Sequence, residues 1–129
     1  MSRALPQALL AVAYALVFST AVQANAGSET VTAATHAELA AGASDVNGVH
    51  SHLHHALNCL VGPGGKGFDA KEMNPCAQSG KGAIPDTADA SKKASLEAAA
   101  EKTREGLAAS DLKAARSAAS ATASMLKAK

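Results

Sequence analysis

A chain of 129 residues with 12 Lys and Arg against 11 Asp and Glu, and with a net charge of +1, is long enough for one small domain and carries no strong overall field. Aromatic residues make up 2% of it, so the stacking platforms of a single-strand nucleic-acid binder are missing. Nearly half of the residues are hydrophobic, but many of these are alanine, so the expected core is thin.

Residues 1–24 read as a secretory signal peptide. Arg3 gives a positive start, Ala8 to Phe18 is an uncharged run, and Val22-Gln23-Ala24 supplies the small residues that a signal peptidase needs, with Ala26 as an alternative cleavage point. The apolar run is short for a membrane span and no basic stop follows it. The expectation is therefore export to the periplasm or beyond, with no membrane association after cleavage, and a single helical domain over residues 25–129.

Export implies an oxidising compartment, in which Cys59 and Cys76 are expected to form a disulfide rather than stay free as metal ligands. Without Arg3 the charges balance, but unevenly along the chain. Residues 25–80 hold two basic and five acidic side chains, residues 81–129 nine and six, and all five histidines lie in the acidic half. That polarity suits a cation better than a phosphate.

The first expected helix runs over about 29–41, capped by Ser28, with Glu29 in its first turn. Gly42 interrupts it, and Ser44 or Asp45 caps a second helix over 45–61, VNGVHSHLHHALNCLV from Val46 onwards. At 100° per residue, Val46, Val49, Leu53, Leu57 and Leu60 fall within about 80° of arc and form one apolar stripe. His50 and His54 stand one turn apart on one shoulder of that stripe. His52 leans to the other shoulder, with His55 nearer the back and Cys59 beyond it. Two imidazoles at i and i+4 can share a metal ion, so His50 and His54 are the leading candidate ligands. His52, His55 and His36 are auxiliaries, and Glu38 or Asp45 is a carboxylate that could complete or orient the set. Neutral imidazoles suit divalent copper, nickel or zinc.

Val61-Gly62-Pro63 ends the second helix, and six glycines and three prolines between residues 62 and 87 predict a loop over 62–86. With the disulfide closed this loop is expected to be ordered, with Phe68 docked on the helices. Asp86 or Thr87 opens a third helix over 87–105, and Ser110 caps a fourth over 111–127. Ser44-Asp45-Val46 and Ser110-Asp111-Leu112 are the same helix start 66 residues apart, which suggests one helical hairpin used twice. The expected fold class is all-α: a four-helix bundle or paired helical hairpins with a long Gly/Pro-rich central loop stapled by the disulfide.

Other chemistries fit poorly. No Cys-x-x-Cys-His run attaches a c-type haem, and no Glu-x-x-His pair marks a di-iron site. The glycines of GPGGKGF follow a helix and lack the Gly-Lys-Ser/Thr of a phosphate loop. No enzyme activity is expected. Residues 35–57, THAELAAGASDVNGVHSHLHHAL, and more loosely 96–126, resemble the small metal-binding proteins of the bacterial periplasm, which are secreted, alanine-rich and helical, with histidines grouped on the helices. The resemblance implies reversible binding of divalent copper, nickel or zinc without catalysis. This chain departs from that family in having no histidine in its second half and in the additional segment NCLVGPGGKGFDAKEMNPC. The competing expectation is a protein-interaction module that contacts a partner through loop 62–87, with the histidines incidental or pH-sensing.

Overall fold

The computed structural model describes residues 25–128; the expected signal peptide lies outside the described residues. Five helices follow in order: α1 (Ala26–Gly42), α2 (Val46–Val61), the short α3 (Ala83–Asp86), α4 (Ala90–Ala108) and α5 (Leu112–Lys127). The four long helices form a ring in which α1 packs on α2 and α5, and α4 packs on α5 and α2. α2 also meets α5 across the ring, whereas α1 and α4 do not touch.

Side-chain volume explains this ring. Leu53, Leu57, Leu60 and Val49 are the largest fully buried aliphatic side chains, and all four come from the α2 stripe. They are covered mainly by alanines: Ala33, Ala37 and Ala40 from α1, Ala99 and Ala100 from α4, Ala115 and Ala119 from α5. Small residues let the helices close in. A Cβ on Gly106 of α4 would lie 2.6 Å from the Leu53 side chain, so only glycine fits that crossing without displacement.

The two hairpins correspond at an offset of 66 residues along their length. α2 and α5 each have 16 residues, and their first and last positions, 46 and 112, 61 and 127, keep that spacing. Asp45 accepts from the Gly48 backbone N–H at 2.8 Å, and Asp111 accepts from that of Ala114 at 2.8 Å. The preceding turns close with Ala43 N–H donating to Ala40 and Ala109 N–H donating to Gly106. Val49, Leu53, Ala56, Leu57 and Leu60 are buried in α2; so are Ala115, Ala119, Thr122, Ala123 and Leu126 in α5, position for position.

Three helix starts differ from the sequence expectation, for one reason: a side-chain carboxylate or amide takes the capping place. Asn25 caps α1 by accepting from Ser28 N–H, so the helix begins before Ser28 rather than after it. Asp111, not Ser110, caps α5. Asp89 caps α4, because Asp86 belongs to α3 and accepts from Lys81 N–H at 2.7 Å, while the Thr87 hydroxyl donates to Ala83 O. α3 itself falls inside the segment expected to be loop. Pro85 is tolerated there because the first turn of a helix leaves its N–H groups without intrahelical acceptors.

Residues 62–82 run in turns from α2 to α3 and are tied down at several points. Cys59 and Cys76 are disulfide-bonded, with Cα atoms 5.1 Å apart. Phe68 and Ile84 pack against the core. Asn58, fully buried, donates to the carbonyls of Asp69 at 2.9 Å and Met73 at 3.1 Å, and its Oδ1 accepts from Asp69 N–H at 2.9 Å. Where the segment returns, Gly82 (φ +125°) crosses Gly62 so closely that a Cβ would lie 2.7 Å from the Gly62 nitrogen.

Glu29 holds this crossing from the other side. It is fully buried in the first turn of α1, and its Oε1 accepts from Gly82 N–H at 3.0 Å. Its Oε2 has no hydrogen-bond partner among the described residues other than the neighbouring Asp86 carboxyl, and both carboxyls crowd Gly80. Burial pushes the Glu29 carboxyl above the usual range; the Gly82 N–H opposes this, and Asp86 adds to it. A carboxyl whose folded-state pKa is raised lends stability at low pH and withdraws it as pH rises through that pKa. Glu29→Gln keeps the acceptor for Gly82 and removes the buried charge. Thermal melts should show a higher Tm than wild type at pH 8, with the difference vanishing toward pH 4. The double substitution Cys59→Ala, Cys76→Ala opens a 17-residue span and should cost about 3 kcal/mol in denaturant unfolding.

Candidate metal centre

The short turn at Ala43–Asp45 folds α1 back along α2 on the flank of the stripe that carries His52, Cys59 and His55. His36 lies on α1 beside the buried Ala33 and Ala37, and it meets His52 and His55 across the helix pair. One nitrogen from each of His36, His52 and His55 lies within 4.8 Å of the other two. Their ring centroids are 5.7 Å (His36–His52), 5.1 Å (His36–His55) and 5.7 Å (His52–His55) apart.

These spacings fit one ion. Metal–nitrogen bonds of about 2.0–2.1 Å, extended by roughly 1.1 Å to each ring centre, place the centroids about 5.2 Å apart at tetrahedral angles and about 5.5 Å apart in a trigonal plane. All three rings are partly buried, and their Nδ1 atoms, like that of His54 outside the group, are buried without a hydrogen-bond partner among the described residues.

Electrostatics favours the neutral, metal-binding form of His36 and His55. Burial lowers the His36 pKa, and repulsion from His55 and His52 lowers it further. Burial also lowers that of His55, with contributions from His52 and His54, against the pull of the Glu72 carboxylate, whose Oε2 is 3.4 Å from His55 Nε2. A divalent ion therefore competes with few protons near neutral pH.

The leading pair at the sequence level, His50 and His54, is not part of this group. Both project to the opposite flank of the stripe. His50 Nε2 is 2.9 Å from Ala109 O; the carbonyl can only accept, so His50 carries its proton on Nε2 and spends that nitrogen on the turn between α4 and α5. His52, His55 and His36, the auxiliaries, come together instead. Glu38 pairs with Lys127 and Asp45 caps α2, so neither carboxylate stands at the site. The carboxylate that does is Glu72, which sequence reasoning missed. Its signal was the disulfide: Cys59 is one turn beyond His55 and Glu72 is four residues before Cys76, so closing the bond brings the two neighbourhoods together.

Comparison of the chain with protein-family models, curated proteins and solved structures finds no match. Among the described residues no helix is long and apolar enough to cross a membrane. The site is thus read from its own geometry. Imidazoles whose folded-state pKa is depressed lose stability as pH falls from the ordinary histidine value toward the lowered one. In the absence of metal the protein should therefore melt at progressively lower temperature below about pH 6.5, and the His36→Asn, His55→Asn double variant should flatten that decline.

Proposed function

We propose that this is an exported, non-catalytic protein that reversibly binds one divalent transition-metal ion, copper, nickel or zinc, through His36, His52 and His55. The observation that carries the reading is the convergence of three imidazoles from two helices at the spacing of a common ion. The chemistry of the donor set agrees with it, since imidazole is a ligand for all three metals. The resemblance to small periplasmic metal-binding proteins points the same way, with one site here in place of the several that histidines on every helix would build.

Binding at this place acts on folding. The three rings are assembled only when α1 is docked on α2, so an ion that bridges them stabilises the docked state and not the unfolded chain. At a free-ion concentration of 100 times Kd the gain is about 2.7 kcal/mol.

Calorimetric titration of the purified protein with Zn(II), Ni(II) and Cu(II) at pH 7.5 should give one ion per chain. His36→Ala, His52→Ala and His55→Ala should each weaken binding by well over 10-fold, since losing even a residue that only supports a ligand costs about 10–100-fold. His50→Ala and His54→Ala should leave it unchanged. Binding that depends equally on His50 and His54, or that survives His52→Ala, overturns the assignment.

A further inference from the structure

We propose that the histidine site holds its ion through three protein ligands only, and that the remaining coordination position takes a small neutral nitrogen donor, an imidazole or an amine, from the surrounding medium. This rests on the metal reading above and deepens it, from a closed store to a site that exchanges its ion.

The donor inventory of the chain leads there. Its five histidines, two cysteines and eleven Asp and Glu all lie from Glu29 onwards, so every one of them is among the described residues. One nitrogen from each of His36, His52 and His55 lies within 4.8 Å of the others, and no further group of three or more such side chains forms among the described residues. Cys59 and Cys76 are bonded to each other, and His50 Nε2 is taken by Ala109 O. Glu38 pairs with Lys127, and Glu72 stays outside the group as the ion pair of His55. On the core side the rings are backed by Ala33, Ala37 and Ala56, fully buried side chains without a donor atom. An ion of the zinc type takes four ligands. Four protein side chains make a closed, structural site, whereas three keep a position for a molecule from outside.

Burial and charge say what kind of molecule fits. His36, His52 and His55 are half-buried at the seam between α1 and α2, with core on one side and solvent on the other. The His55 side chain is 12% exposed and that of Glu72 beside it 34%. An opening of that kind admits a single ring or an amino group rather than the flank of another helix. The Glu72 carboxylate repels an anion that approaches beside His55, and it accepts from an N–H that arrives there. Neutral nitrogen is also the donor that borderline divalent ions already take from the three rings.

An outer ligand changes how the ion leaves. With four protein ligands, one bond to the protein must break before another donor binds. With three, an incoming donor enters at the outer position while the rings still hold the ion, and the rings then release it in turn. The centre is thereby suited to receiving and passing on an ion that travels with small nitrogen donors.

Co(II) serves as the probe, because the filled d shell of Zn(II) gives no visible spectrum. The purified protein, loaded with one equivalent of Co(II) at pH 7.5, is titrated with imidazole and separately with azide. Imidazole should shift the visible absorption bands in one saturable step, one imidazole per ion, while cobalt stays with the protein on gel filtration. Azide should produce its shift only at higher concentration. His52→Ala should lose Co(II), which keeps the metal reading under separate test. Cobalt held through the three histidines with a spectrum that imidazole leaves unchanged overturns the outer position. So does a response that appears only in Glu72→Gln, which would mean that the carboxylate fills that position, and so does release of cobalt by imidazole without a ternary complex. A tighter response to azide than to imidazole overturns the neutral class of donor. Absence of Co(II) binding in wild type, or its retention in His52→Ala, overturns the three-histidine reading itself.

Discussion

One face of α2 supplies nearly all the bulk of the core, and the rest of the molecule is arranged to cover it. Val49, Leu53, Leu57 and Leu60 are fully buried, and the helices around them present mostly alanine, with threonine, glycine and one buried leucine each from α4 (Leu96) and α5 (Leu126). A stripe of four such side chains on one helix must be enclosed from both flanks, because each is worth about 1.5–3 kcal/mol only when it is wholly removed from water. α1 closes one flank and the α4–α5 hairpin the other. The shoulders of α2 thereby become interfaces, and the residues on them must be polar enough for a rim yet tolerant of partial burial. Neutral imidazole meets both conditions. The histidines are thus at the seams as a consequence of where the leucines are.

The segment between α2 and α3 is held by a different kind of interaction. With its density of glycine and proline it forms no long helix of its own, so its backbone groups need partners from elsewhere. Two fully buried polar side chains supply them: Asn58 from α2 at one end and Glu29 from α1 at the other. The amide does this at no electrostatic cost. The carboxyl does it best when protonated, beside Asp86. His36 and His55 have the reverse preference, since burial favours their neutral, deprotonated form. Acid therefore strains the seam between α1 and α2, and alkali strains the crossing of Gly62 and Gly82. The two opposed demands meet on the same helix, α1, at opposite sides of the chain it organises.

Much of this was legible in the residues. Helical periodicity placed the four long helices within a few residues, and the stripe of α2 named the core. Two cysteines, read with the expectation of export, pointed to the disulfide, and the repeated Ser-Asp start anticipated a correspondence that extends to caps, turns and buried positions. The misreadings have physical causes. Ser28 and Ser110 do not cap their helices, because neighbouring Asn25 and Asp111 are placed to accept instead. α3 was hidden because the rule that proline breaks helices does not apply to a first turn. The grouping of His36 with His52 and His55 is not visible in the sequence of α2, because a single helix shows only its own i, i+4 neighbours. Which shoulder of α2 receives α1 is a tertiary fact, and it decides that His52 and His55 meet His36 while His50 turns to Ala109.

The correspondence between the hairpins also shows where the specialisation lies. At the same 66-residue offset, the positions of His36, His52 and His55 hold Lys102, Ala118 and Ala121, and those of Asn58 and Cys59 hold Ser124 and Met125. Each of these five residues has a counterpart that neither builds the site nor secures the loop. The second hairpin keeps the buried pattern and so serves as the wall against which the leucine stripe is enclosed. The first hairpin, sharing that wall, carries the three clustered histidines at the seam between α1 and α2. An alanine-lined core of this kind leaves α1 lightly fastened to α2, since Ala33, Ala37 and Ala40 bury little area each. An ion bridging His36 to His52 and His55 would fasten the two helices at the seam where apolar burial is thinnest, which couples occupancy of the site to the integrity of the fold.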